Sequence, residues 1–180
     1  MILRSYYGLI ELIAKGDTAG NYAAFVDTSG ATQKVRYNSS YVEAYARPLG
    51  FQSITNICTS KTGYGIAFGT GTAAPKFDDY TLSGDFITGL TGTVVRECVS
   101  DTDGNVVITV LATLTNTNSN DVTISEVGYV NSFTGKQPNS TSNVYAYVLF
   151  DRTVLDTPVT IPAGGIGQVT YTIRMNYPTA

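Results

Sequence analysis

Few side chains in this sequence could carry out acid–base or nucleophilic chemistry. The 180 residues include no histidine, so the most common general base and metal ligand is missing, and no Ser-His-Asp or Cys-His site can be built within the chain. Asp78 and Asp79 are adjacent in a predicted loop, which makes them a poor pair for acting on a glycosidic bond from two sides. Glu126 lies among apolar residues of a predicted strand, and we expect it to accept backbone N–H groups or to pair with Arg152 or Arg174. The sequence therefore favours a non-enzymatic role.

Two short motifs are weak candidates for ligand sites. Residues 68–75 read Phe-Gly-Thr-Gly-Thr-Ala-Ala-Pro, but they lack the G-x-G-x-x-G pattern and the GK[ST] ending of phosphate-binding loops, so we predict a bend between strands. Residues 101–105 read Asp-Thr-Asp-Gly-Asn, yet Val106 and Ala112 stand where an EF-hand needs Gly and Glu. A hairpin turn explains the same composition, with an adventitious calcium site as the alternative. We predict neither a cofactor nor a resident metal.

Charge and hydropathy argue against nucleic-acid and membrane partners. The chain has 11 Lys and Arg against 14 Asp and Glu, and its basic residues are scattered, whereas nucleic-acid binding needs a basic patch. No stretch approaches the roughly 20 apolar residues of a membrane span. Arg4, Gly8 and Glu11 interrupt the apolar opening segment, so no secretion signal is predicted. We expect a chain that is made in a cytoplasm and kept there until assembly.

The low charge content indicates a protein whose surface is largely covered by neighbours. Charged residues make up 14% of the chain, against about 25% in typical globular proteins. Such a surface relies less on self-repulsion for solubility, so we expect a homo-oligomer or another assembly; a robust monomer with a Thr-rich surface is the alternative. Cys58 and Cys98 follow or precede β-branched residues, and we predict two buried free thiols, with their pairing left open.

Alternating hydrophobicity and turn residues predict an all-β chain. Residues 2–15 fit either a short helix or an opening strand. Residues 22–37 fit a hairpin around Asp27-Thr-Ser-Gly30, and residues 131–143 are predicted to be the longest irregular stretch. In residues 122–130, strict alternation would place Ile124, Glu126 and Gly128 on one face. The other predicted strands are 65–69, 92–99, 105–115, 144–150, 159–161 and 167–175, with a turn at Pro162–Gly165 between the last two. In the strand 105–115, alternation predicts that the residues facing the core include Ile108, Val110, Ala112 and Leu114.

These elements predict an antiparallel β-sandwich, jelly-roll or immunoglobulin-like, with a short N-terminal arm. We divide the chain into an arm and hairpin at 1–50 and a β-sandwich domain at 51–180, because Arg47-Pro48-Leu49-Gly50 ends a Tyr-rich stretch. Aromatic and apolar residues before this boundary could form an interface, since Tyr is enriched at interfaces; packing on the chain's own domain is the alternative. The candidate interface residues are Tyr6, Tyr7, Leu9, Tyr37, Tyr41 and Tyr45.

Three stretches together resemble small structural proteins of tailed bacteriophages. Residues 66–82 resemble the G-x-G-T-x-x-P-x-x-x-D-x-x-L segment of such virion proteins. Residues 114–117 followed by 122–129 are similar to the I-T-E-I-G-L-Y strand of tail and fibre components. Residues 149–164 followed by 169–173 complete the resemblance, which covers about residues 60–175.

The resemblance implies a virion structural protein whose motifs shape the fold. It implies a capsid decoration or auxiliary protein that binds the major capsid protein or other virion proteins and is located in the virion. A tail, collar or fibre-attachment component is one alternative, and a carbohydrate-binding adhesin module is another. The residues given structural roles in turns and strands are Gly69, Gly71, Pro75, Glu126, Gly128 and Arg152.

Overall fold

The computed structural model describes residues 23–35, 54–100, 106–137 and 142–175. Regular structure in these ranges is almost entirely β, and no α-helix occurs in them. The helical alternative for residues 2–15 lies outside the described residues. The strands are β1 (Ala23–Val26), β2 (Thr32–Val35), β3 (Ile57–Cys58), β4 (Gly65–Gly69), β5 (Leu90–Ser100), β6 (Val106–Asn116), β7 (Val122–Lys136), β8 (Asn143–Ile161) and β9 (Ile166–Met175).

The strands form two main sheets and a separate hairpin. One sheet has the order β3-β4-β7-β8, the other has the order β5-β6-β9, and β1 pairs with β2. All pairings are antiparallel except β3 with β4, where Ile57 and Cys58 run parallel to Ile66 and Ala67. The prediction of an antiparallel all-β chain is therefore correct but for this one parallel pair, which strand propensity alone does not reveal.

Both main sheets contribute to one hydrophobic cluster. In β6, Ile108, Val110, Ala112 and Leu114 are buried while Leu111 is exposed, as the period of two predicts. β9 follows the same rule. The cluster joins these strands to the other sheet through the buried residues Ile66, Phe68, Ile124, Val127, Tyr129 and Phe150.

The alternation predicted for residues 122–130 is wrong at one position. Ile124 and Val127 point into the same cluster although they are three positions apart, an odd spacing that strict alternation would put on opposite faces. The pairing of β7 with β8 shifts here, because Ile124 pairs with Val159 while Glu126 pairs with Val154. Such a β-bulge changes which face the following residues occupy. Val127 and Tyr129 therefore face the shared core.

The irregular stretch predicted at 131–143 is also wrong over its first half. β7 continues to Lys136 and pairs with β8, from Asn131 opposite Val148 to Lys136 opposite Asn143. The two strands predicted at 144–150 and 159–161 are parts of the single strand β8. Asn131, Gly135 and Lys136 are of types that are depleted in strands, but a long partner strand supplies the backbone hydrogen bonds that this segment needs.

The predicted hairpin at 22–37 is confirmed over its described residues, 23–35, and it packs on this extension of β7 and β8. Gly30 takes the positive φ of 87° that the turn requires. Phe25 and Val35 form a second cluster with Phe133 and residues of β8, and the rings of Phe25 and Phe133 meet edge to face at 5.8 Å. The division at residues 1–50 and 51–180 stays a prediction.

Candidate functional site

The carboxylate of Glu126 lies at the centre of the candidate site. The side chain is fully buried on β7. Its Oε1 accepts the backbone N–H of Gly71 at 3.0 Å and that of Gly84 at 2.8 Å. Its Oε2 accepts the N–H of Ser83 at 3.0 Å and the hydroxyl of Ser83 at 3.1 Å. These four hydrogen bonds tie β7 to two separate points of the loop between β4 and β5, at residue 71 and at residues 83–84.

Glycines allow this loop to approach the carboxylate closely. A Cβ on Gly71 would lie 2.3 Å from Oε1 of Glu126, and a Cβ on Gly69 would lie 2.7 Å from the same atom. A Cβ on Gly84 would lie 2.3 Å from the backbone nitrogen of Gly71. None of these distances is possible for a real Cβ atom. Glycine at these positions is therefore a requirement of space around the carboxylate.

Arg152 connects the buried carboxylate to the outer part of the same loop. Its guanidinium is almost fully buried, with Nε 3.3 Å from Oε2 of Glu126 in an ion pair that lacks hydrogen-bond geometry. Its Nη1 donates to Oδ2 of Asp79 at 2.9 Å, and its Nη2 donates to the carbonyl of Ala73. Pro75 is half-buried between these two anchor points. The loop is thus held at 71, 73, 79, 83 and 84.

The anchored loop covers the outer face of the four-stranded sheet. Leu82 packs in a third cluster with Cys58, Ala67, Val130 and Leu149. A Cβ on Gly128 would lie 2.8 Å from a methyl group of Leu82, so Gly128 makes room for this contact. The structure thus brings five of the predicted structural residues, Gly69, Gly71, Glu126, Gly128 and Arg152, to one place, with Pro75 in the loop they hold.

The chemistry available to this cluster is anchoring. Every oxygen of Glu126 is engaged, and the side chain has no solvent-exposed surface that a substrate could reach. Burying a carboxylate and a guanidinium is tolerated only when they are paired and hydrogen-bonded. The cluster meets that condition through backbone N–H groups, a backbone carbonyl and Asp79.

A second buried polar pair connects the two main sheets and was missed by sequence reasoning. The hydroxyl of Tyr171 on β9 donates to Oδ1 of Asp151 on β8. Burial raises the pKa of Asp151 above its usual value, although the hydrogen bond from Tyr171 acts in the opposite direction. Burial, together with the negative charge of Asp151, raises the pKa of Tyr171 well above its usual value. The available signal was an acidic residue directly after the apolar Val148-Leu149-Phe150.

Asn116 forms a third polar centre, at the end of β6. Its buried side-chain amide donates to the carbonyls of Asn120, Ile161 and Pro162, at 2.8–3.2 Å, and its Oδ1 accepts the N–H of Asn118 at 3.0 Å. The predicted turn at Pro162–Gly165 is confirmed beside it, with Gly164 at a φ of 68°. This centre joins two loops at one end of the molecule.

The turn of the β1–β2 hairpin is also fixed by buried polar groups. Burial alone would raise the pKa of Asp27, but hydrogen bonds from Ser29, Gln33 and Ala31 outweigh it and lower the pKa. Thr28 donates its N–H to the carbonyl of Tyr147 at 2.9 Å and its hydroxyl to the carbonyl of Lys61. The turn is therefore attached to β8 and to the 59–64 loop.

The remaining sequence predictions concern the interface residues, the two cysteines, metal binding and membrane spans. The candidate interface residues Tyr6, Tyr7, Leu9, Tyr37, Tyr41 and Tyr45 lie outside the described residues. Cys58 is a buried free thiol whose pKa is raised by burial; the Cys98 side chain is not described. Within the described ranges, no group of three or more Asp, Glu or Cys side chains is placed to hold a metal ion. No helix in these ranges is long and apolar enough to cross a membrane.

Comparison with known proteins adds no further constraint. No protein family, curated protein or solved structure matches this chain. Function must therefore be inferred from the contacts and surfaces of the molecule itself.

Proposed function

We propose that this chain is a structural protein of a bacteriophage virion, a decoration or auxiliary protein that binds and stabilises the capsid lattice. In this proposal its two main sheets form a β-sandwich around their shared cluster, of the jelly-roll or immunoglobulin-like kind. Its partners are the major capsid protein or other virion proteins, and further copies of itself.

The observation that carries the proposal is the convergence of the three phage-like stretches on one anchoring cluster. Residues 66–82 form β4 and most of the anchored loop, residues 122–129 contain Glu126, and residues 149–164 contain Arg152. Segments far apart in the sequence thus meet through hydrogen bonds that fix a loop over a sheet. The three stretches meet in contacts that stabilise the fold and not in a reactive site, as expected for a structural protein of a particle.

The composition of the surface supports the same proposal. The exposed faces are rich in Thr and poor in charge, and several large apolar side chains are exposed, among them Val95, Tyr145 and Ile166. Charge is depleted at the centres of protein interfaces. Repetition around a symmetric shell allows individually weak contacts to give stable attachment.

The copy number of the chain in purified virions tests this proposal. Quantitative mass spectrometry would compare its abundance with that of the major coat protein. A ratio of the same order as the coat protein is expected for capsid decoration. A many-fold smaller ratio would replace that assignment with the tail, collar or fibre alternative, and absence from the virion would overturn the structural role.

An adhesin role is the second candidate, and exposed aromatic side chains on loops favour it. Tyr80 is 40% exposed and Phe77 is 50% exposed. Tyr80 lines a depression of about 340 Å³ together with Lys76, Asp78 and Asp79. An aromatic ring beside carboxylates and an ammonium group is a chemistry that can bind saccharides.

A glycan array distinguishes this second candidate. Tyr80→Ala should abolish any binding that uses the depression, whereas Tyr145→Ala, which removes an exposed ring on β8, should leave binding unchanged. Absence of binding by the wild-type protein would eliminate the adhesin role.

A further inference from the structure

The outer face of the β5-β6-β9 sheet differs from that of the other main sheet. A loop anchored by Glu126 and Arg152 covers the four-stranded sheet and packs Leu82 against it. On the three-stranded sheet, the outward side chains are exposed or half-buried, with Val95 63% and Ile166 70% exposed. This second face is available for contact with another molecule.

The register of the three strands shows how this outer face is composed. Val95 on β5 lies beside Leu111 on β6, and Leu111 lies beside Thr170 on β9. Three successive rows of the face hold no charged residue: Thr91, Thr115 and Ile166; Thr93, Thr113 and Gln168; and Val95, Leu111 and Thr170. We call these nine residues the neutral face.

Charges of opposite sign lie just beyond one end of the neutral face. Glu97 on β5 is in the next row, and Arg174 on β9 is one row further on. The two residues are on the outer strands of the sheet, with β6 between them. A face with an acid on one edge and a base on the opposite edge is complementary to itself under a two-fold rotation.

We propose that the neutral face pairs with the neutral face of a second copy, about a two-fold axis parallel to β6. This rotation stacks β5 of one copy over β9 of the other and Leu111 over its own equivalent. Glu97 of each copy then lies about one row, roughly 7 Å along the strand, from Arg174 of the other. Stacked sheets pack about 10 Å apart, a gap that these two long side chains span together. An axis perpendicular to the strands would place β5 over β5 and would not bring Glu97 of one copy near Arg174 of the other.

The area of the whole outer face, which extends beyond the neutral face to the rows of Glu97 and Arg174, sets the expected strength of the pairing. Three strands about 4.8 Å apart and about ten residues long, at ~3.3 Å per residue, give this outer face an area of roughly 500 Å² per copy. A pair would bury about 1,000 Å² in total, at the low end for specific interfaces. We therefore expect weak, reversible self-association, which repetition in a particle would strengthen.

The inference deepens the homo-oligomeric part of the proposed function but does not depend on a virion location. Self-association of the purified chain and its copy number in virions are separate measurements. A failure of one is therefore distinguishable from a failure of the other.

The first test is sedimentation of the purified full chain at concentrations up to the order of 1 mM. The wild type should show concentration-dependent dimerisation. Val95→Lys and Leu111→Lys place charges on exposed positions of the neutral face and should each weaken dimerisation at least about tenfold. Tyr145→Lys, at an exposed position of the other sheet, is the matched control and should leave it unchanged. A wild type that stays monomeric, or a loss of dimers with Tyr145→Lys alone, would overturn the proposal.

The second test swaps the charges at positions 97 and 174, and its expected result depends on the two-fold arrangement. Glu97→Arg and Arg174→Glu should each weaken dimerisation by about fivefold, since each sets like charges against one another. The double variant restores opposite charges across the interface and should recover most of the wild-type affinity. A double variant as weak as the two single variants combined would refute the two-fold arrangement.

Discussion

At the scale of single residues, Glu126 accepts three backbone N–H groups and one hydroxyl while paired with Arg152. Replacing it with Gln would keep the volume but give one of these positions a donor, and it would remove the counter-charge beside Nε of Arg152. Breaking a buried pair by changing one partner costs about 3–5 kcal/mol.

We therefore expect Glu126→Gln to lower the free energy of unfolding by about 3–5 kcal/mol in urea titrations. Glu97→Gln, measured in dilute monomeric solution, is the matched control on an exposed strand position and should change the free energy of unfolding by less than about 0.5 kcal/mol. A loss below about 1 kcal/mol for Glu126→Gln would show that the loop is held by other contacts.

Two buried aspartates, Asp151 and Asp27, should contribute to the folding stability with pH dependences of opposite sign. The pKa of Asp151 is raised in the folded protein above the ordinary value of 3.8. At pH values between 3.8 and the raised pKa, the folded state therefore binds more protons than the unfolded state. The stability that Asp151 contributes is present below 3.8 and is lost as the pH rises through the raised pKa. The pKa of Asp27 is lowered, so its contribution is present above 3.8 and is lost as the pH falls through the lowered value.

Both predicted pH dependences can be checked with the variants Asp151→Asn and Asp27→Asn. The measurement is the free energy of unfolding of each variant and of the wild type at a series of acid pH values. The wild-type advantage over Asp151→Asn should shrink as the pH rises above 3.8. The advantage over Asp27→Asn should shrink as the pH falls below 3.8. Parallel curves for a variant and the wild type would contradict the assigned shift.

At the scale of elements, the β1–β2 hairpin depends on a few contacts with the rest of the chain. Phe25 and Val35 pack against the extension of β7 and β8, and Thr28 bonds to the carbonyls of Tyr147 and Lys61. Thr28→Val keeps the branched shape and removes one hydrogen bond, worth about 1 kcal/mol.

Amide hydrogen exchange should therefore speed up about fivefold within residues 23–35 of Thr28→Val, with little change in β6 and β9. Thr32→Val, at an exposed position of β2, is the control and should leave exchange unchanged. Equal acceleration in all strands would mean that the hairpin does not open on its own.

At the scale of the whole molecule, the two main sheets share one core and should unfold together. Leu114 is fully buried in that core, whereas Leu111 lies on the opposite face of the same strand. Leu114→Ala should cost about 2–5 kcal/mol, and Leu111→Ala, measured in dilute monomeric solution, less than about 0.5 kcal/mol.

The hydrogen-exchange rates of the slowest amides distinguish a core shared by both sheets from two sheets that unfold independently. Leu114→Ala should lower protection in β4 and β7 by the same free energy as in β6, because these strands bury side chains against one another. Loss of protection confined to β5, β6 and β9 would show that the sheets unfold independently.

Elements whose signals are local could be predicted from the order of residue types. The alternation in β6 predicted its buried face correctly, and the alternation in β9 separated its two faces, since successive side chains of a strand point to opposite faces whatever the strand packs against. The segments Asp27–Gly30 and Pro162–Gly165 were recognisable as turns, because Gly permits positive φ and Pro restricts φ whatever the rest of the chain does. An acidic residue among apolar strand residues indicated that Glu126 would need backbone or arginine partners.

Features that depend on a partner strand or a distant loop become visible only in the folded chain. The bulge between Ile124 and Glu126 arises from pairing with β8, and the sequence of β7 alone reads as regular alternation. Residues 131–136 are strand because β8 supplies their hydrogen bonds. The contacts of Glu126 with residues 71, 83 and 84, and of Tyr171 with Asp151, join positions 20 to 55 residues apart. Such contacts depend on how strands and loops that are distant in the sequence pack together, which no local pattern of residue types records.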